Sequence, residues 1–108
     1  MAIGFSDGSV TTTSSEATVT DTIADAVFSM YLFLHNMTAT ETFRIKVYVR
    51  DENAGTLRLY NNIDYTGVQS NPAIFIPPLP TKEFKVSIQR TAGTDKAVTW
   101  QLVQFTTS

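Results

Sequence analysis

The chain has 108 residues, 43% of them hydrophobic and among them seven Phe, four Tyr and one Trp. That is enough for one core burying roughly two thirds of the unfolded surface, and too little for two. Charged residues are only 17%, against roughly 25% in ordinary soluble domains, and 25 Thr and Ser supply the polar surface instead. Eight Lys and Arg against ten Asp and Glu leave a net charge of −2, which excludes the basic field that nucleic acid or anionic lipid attracts; the absence of Cys excludes disulfides, thiolate metal sites and thiol nucleophiles.

Residues 1–8 lack a basic region followed by an apolar run, and no stretch approaches the roughly 20 apolar residues of a membrane helix, so neither a signal peptide nor a membrane partner is expected. From Val10 to Thr20 the chain is β-prone but poor in large apolar groups. Residues 1–26 therefore read either as edge strands of the domain or as an arm laid across a neighbouring subunit, with residues 27–108 forming the sandwich core.

The segment Val27 to Leu34 is apolar on both parities, the pattern of a strand covered on both faces. Its length and its Phe, Tyr and Val content favour strand over buried helix. Asn36-Met37-Thr38 matches a glycosylation acceptor, read as a chance match without a secretory signal.

Strict alternation marks the next strand: Phe43, Ile45, Val47 and Val49 on one face, Thr42, Arg44, Lys46, Tyr48 and Arg50 on the other. The turn formers Asp51 to Gly55 follow, and Leu57 and Leu59 resume the alternation with Arg58 and Tyr60 opposite, predicting an antiparallel hairpin. Ala73 to Ile76 lies between Pro72 and the prolines Pro77, Pro78 and Pro80, which predicts a short edge strand and a proline-rich passage between sheets. Phe84, Val86 and Ile88, the loop Thr91 to Asp95, and Val98, Trp100 and Leu102 predict a second hairpin with Trp100 facing the core.

Together these segments predict an all-β fold: a single antiparallel β-sandwich of jelly-roll or Greek-key type with about 7–8 strands. A small closed barrel is the alternative. The Cys pair of an antibody-type domain is missing.

Candidate chemistry is sparse. His35 is the one histidine and reads as a strand-end residue; no Gly-x-Ser-x-Gly elbow selects a serine for it to activate. Asp21, Asp25, Asp51, Glu52 and Asp64 read as turn and solubility residues rather than as a glycosidase acid pair. Asp51 to Gly55 offers alternate oxygen ligands for calcium but lacks the closing bidentate glutamate. Neither nucleotide fingerprint occurs. No catalytic residue, no metal and no cofactor is expected, and the chain reads as non-enzymatic. The surface concentration that stands out is the row Arg44, Lys46, Tyr48 and Arg50, faced by Arg58 and Tyr60; it makes these six the candidate protein-contact residues.

The segment from Pro77 to Asp95, followed by Val98-Thr99-Trp100, carries a proline-led strand, a Thr-Ala-Gly-Thr loop and an aromatic return strand over about a quarter of the chain. In these features it resembles small β-sandwich structural proteins of tailed bacteriophages and archaeal viruses. The resemblance implies a virion or lattice component, such as a capsid decoration or cement protein, a minor virion protein or a tube or shell subunit. Its partners would be itself, as a homo-oligomer, or a capsid or lattice protein, and its location a virion or extracellular assembly. The alternative reading is a carbohydrate-binding or adhesin-like module using Tyr48, Tyr60, Tyr65 and Trp100 as stacking platforms.

Overall fold

A computed structural model describes residues 2–50 and 56–106. Six strands account for three quarters of them: β1 (Ala2–Thr11), β2 (Ala17–Phe33), β3 (Thr42–Arg50), β4 (Arg58–Thr66), β5 (Ala73–Ala92) and β6 (Ala97–Thr106). Every pairing is antiparallel, and the order across the hydrogen-bonded sheet is β1-β6-β2-β5-β3-β4. Among the described residues β1 and β4 are therefore free edges, and the sheet they bound is not closed into a barrel.

The register shows that this sheet folds over on itself. Phe84 pairs with Thr22, and Phe28 lies six residues further along β2, roughly 20 Å away on a straight strand. Yet the Phe28 and Phe84 rings stack with centroids 5.1 Å apart and planes 5° from parallel. The long strands must bend between these positions, and β2 breaks register between Ile23 and Ala26 and again between Phe28 and Met30.

The result is a two-layer sandwich. The first layer runs β1, β6, the second arm of β2 and the first arm of β5. The second layer runs the first arm of β2, the second arm of β5, β3 and β4. Because β2 and β5 serve both layers, six strands supply four strand segments to each, which is the expected all-β antiparallel sandwich. Phe28, Met30, Leu32, Val98 and Leu102 from the first layer meet Phe43, Ile45, Val47, Phe84, Val86 and Ile88 from the second, all buried.

Two pairings differ from the sequence reading. β5 is one strand of 20 residues rather than a short edge strand followed by a hairpin arm, although its proline-bearing first arm does lie at an edge, paired with β2 alone. β6 pairs with β1 and β2, not with β5. The turn after β5 carries the chain from the second layer back to the first, so Phe84 to Ile88 and Val98 to Leu102 face each other across the core instead of side by side. Gly93 makes that turn with φ 83°, and a Cβ there would stand 2.6 Å from the Thr40 carbonyl oxygen.

Side chains replace ladder bonds where the strands bend. Ser29 Oγ donates to the Ile76 carbonyl (2.8 Å) beside Pro77 and Pro78, which have no N–H to offer. At the crossing of β5 between layers, Thr81 Oγ1 accepts from the Arg50 N–H (2.9 Å) and lies 2.7 Å from the Arg50 carbonyl oxygen. At one end of the sandwich the fully buried Glu41 carboxylate accepts from the Thr38 N–H (2.6 Å) and from the hydroxyls of Thr38, Thr40 and Thr94, tying the β2–β3 loop to the β5–β6 turn. These donors hold its pKa down to about 2, the Thr40 hydroxyl first and the Thr38 amide next.

Candidate interaction faces

The bend leaves two outer faces, and they differ in chemistry. On the second layer, alternation along β3 turns Arg44, Lys46, Tyr48 and Arg50 outward, because Phe43, Ile45 and Val47 fill the core. Each has a partner. Arg44 Nε donates to Asp64 Oδ1 (2.9 Å) and Nη2 to Oδ2 (3.3 Å), a bidentate pair that holds the Asp64 carboxyl below its ordinary pKa. Lys46 Nζ (3.4 Å) and Tyr48 Oη (3.0 Å) both donate to the Glu16 carboxylate. Arg50 lies 3.5 Å from Glu83, and the Lys85 ammonium sits 5.4 Å from the Tyr48 ring centroid. This face is rich in paired charges, with the exposed apolar side chains of Ile23 and Leu59 set among them.

The other two members of the candidate group do not line up as the alternation predicts. A register shift opposite Val47 and Tyr48 inserts an extra β4 residue, so Leu59, rather than Tyr60, stands across from Tyr48, and Arg58 pairs with Val49. Tyr60 turns to the opening between the layers, where it lines a groove with Ile63, Tyr65, Ile74, Phe75 and Pro77 around a volume of about 50 Å³. Small-molecule sites usually need roughly 300 Å³ or more.

The first layer's outer face is apolar. Its rows follow from the registers. Ile3, Phe105 and Val27 stand side by side; then Phe5, Val103 and Ser29; then Asp7, Gln101, Tyr31 and Phe75; then Ser9, Thr99, Phe33 and Ala73. Phe5 is 69% exposed, Ile3 56%, Phe75 51% and Tyr31 40%. Tyr31 gathers the rings of Phe75 (5.0 Å) and Phe33 (6.1 Å) around it. Asp7 is the single charge in these rows, and it lies on the edge strand.

This face went unread in the sequence, although its signal was there. Val27 to Leu34 is apolar on both parities, which predicts cover on both sides; the fold covers Phe28, Met30 and Leu32 and leaves Tyr31 open. Ile3 and Phe5 alternate with Gly4 and Ser6 in the same sense.

The remaining candidates are dispersed. Trp100 turns toward the core with Val98 and Leu102 but stays half-buried, its indole lying over Gly8, where a Cβ would come within 2.8 Å of Cζ2. His35 is exposed on the β2–β3 loop. Asp21 and Glu83 are neighbours on the second layer's outer face, and Asp21 raises the Glu83 pKa through a shared hydrogen bond, reinforced by burial. Asp51, Glu52 and the calcium-type pattern through Gly55 lie outside the described residues. Among the described residues no three His, Asp or Glu side chains converge as a metal site.

No family model matches the chain. No curated protein matches it. Among solved structures, a chain of the structure of infectious bursal disease virus, Gx strain, is similar to it with 19% sequence identity and a TM-score of 0.38; the match covers 95% of this chain and 30% of that one. The likeness is to a protein of a virus, and it does not single out tailed bacteriophages or archaeal viruses.

Proposed function

We propose that the chain is a non-enzymatic structural subunit of a viral particle or protein lattice, of the decoration, minor virion, tube or shell kind, acting through repeated protein contacts. The observation that carries this reading is the apolar outer face of the first layer. The largest apolar patch on a monomer in water is typically roughly 300–600 Å², and it is often a contact site. Here Phe5, Ile3, Phe75 and Tyr31 stand open on one sheet face with no cation among them. The resemblance of residues 77–100 to viral sandwich proteins supports the same role.

The carbohydrate-binding alternative is less well supported. Tyr48 lies beneath Lys85 and is tied to Glu16, and Tyr60 and Tyr65 line a groove too small for a pyranose ring. Trp100 is half-buried over Gly8, so that of the four only Trp100 borders an open depression, of about 440 Å³, with Asp7, Phe33 and Gln101.

Electron microscopy of the purified protein, alone and mixed with the particles of its source, tests the proposal. Tubes, shells or decorated particles are expected. A dispersed protein that binds no particle, combined with specific retention on a glycan array, would replace this reading with the carbohydrate-binding one.

A further inference from the structure

We infer that the first layer's outer face packs against the same face of a second copy, sheet on sheet, as an isologous dimer. The inference rests on the structural-subunit reading and names the partner that the apolar face receives.

Three observations lead to it. The segment Val27 to Leu34 has the composition of a strand buried on both sides, and the fold of one chain buries Phe28, Met30 and Leu32 on one side while on the other it leaves Tyr31 open and Val27 and Phe33 half-covered. The missing cover is a layer of similar extent and polarity.

Area is the second. At about 200 Å² per large side chain, the exposed fractions of Ile3, Phe5, Tyr31 and Phe75 amount to about 400 Å². The half-buried Phe33, Val103 and Phe105 and the Thr and Gln around them extend the face toward the roughly 800 Å² per partner of a standard interface.

Charge is the third. The charged residues of the described chain lie mainly on the opposite face, paired with one another, so Asp7 on the edge strand is the single charge that the first layer's rows offer a partner. A face with so little charge is matched by another such face, and its own copy is one of equal shape and size. A two-fold axis lying in the plane of contact places Asp7 against a residue other than the partner's Asp7 unless the axis runs through that residue, so like charges need not meet. Face-to-face packing at about 10 Å is the ordinary spacing of sandwich layers.

Sedimentation velocity from about 1 µM to about 100 µM, the range in which interfaces of this size differ in strength, tests the inference. A monomer–dimer equilibrium is expected. Phe5→Lys and, separately, Phe75→Lys are each expected to weaken it at least tenfold, while Val68→Lys, which changes an equally exposed apolar residue on the β4–β5 loop, leaves it unchanged. Far-UV circular dichroism checks that the variants fold, which the exposure of Phe5 and Phe75 favours. A wild-type monomer throughout, or a dimer indifferent to both face variants, overturns the inference. So does flotation of a monomeric chain with phosphatidylcholine vesicles that is abolished by Phe5→Lys, which assigns the face to lipid. A monomer that still decorates particles overturns this inference alone; a dimer that assembles no further and binds no particle overturns the structural-subunit reading alone.

Discussion

Phe28 and Phe84 stack ring on ring at 5.1 Å, although they belong to different layers and neither pairs with the other in the sheet. The contact joins the two halves of a folded sheet at their centre. It also sets what the outer faces become, because the parity that brings Phe28 inward sends Tyr31 outward in one layer, as the parity of Phe84 sends Lys85 outward in the other.

Removing either ring leaves a cavity between fully buried neighbours. Phe28→Ala and Phe84→Ala are each expected to cost about 3–5 kcal/mol in urea denaturation. The double variant should fall short of the sum by about 0.5–1.5 kcal/mol, the coupling of a stacked pair. Additive losses would show that the rings stabilise their own layers separately.

Acid sensitivity should centre on Glu41. Its folded pKa of about 2 lies below the ordinary value of 4.5, so its contribution is complete above about pH 4.5 and is lost as pH falls toward 2. Thr40→Ala removes the first of its donors and raises the folded pKa toward the ordinary value. The acid unfolding midpoint of that variant, followed by circular dichroism, should therefore move to higher pH, with a smaller change in stability between pH 7 and pH 3.

The Asp21–Glu83 pair acts in the opposite direction. Asp21 raises the Glu83 pKa in the folded state, so the stability associated with the protonated carboxyl is present at low pH and is lost as pH rises through that raised value. Asp21→Asn relieves the repulsion. It should stabilise the protein at pH 7 and have little effect near pH 3, as comparison of the two urea midpoints will show.

Gly8 faces Trp100 across β1 and β6, and Gly8→Ala would set a methyl carbon 2.8 Å from the indole. The ring must shift outward. A red-shifted, more readily quenched tryptophan emission is expected, with a loss of about 1–3 kcal/mol typical of overpacking. An unchanged spectrum would mean that the indole does not rest on Gly8.

Individual strands were legible in the sequence wherever one face is wet and the other dry. Phe43 to Val49 is the clearest case, since each inward residue there alternates with a charged or hydroxyl-bearing one. The partners of those strands were not legible. β6 sits beside β1 and β2 because β2 and β5 bend, and the bends are set by register breaks and by the Ser29 and Thr81 hydroxyls rather than by any periodic signal. The candidate contact row suffered from the same limit: the extra residue in β4 turned Tyr60 away from Tyr48, and a one-residue shift inverts every side chain beyond it. The apolar outer face was written in the double parity of Val27 to Leu34, but composition alone does not say which side its own chain covers.

Hydroxyl-radical footprinting of the native protein at low and high concentration tests most directly whether that face is a contact surface. Phe5, Tyr31 and Phe75 are expected to be labelled in dilute solution and protected when concentrated, while Tyr60, exposed at the β4 edge, is labelled in both. Equal labelling of all four at every concentration and in the presence of particles would contradict the assignment and leave the apolar face without a partner.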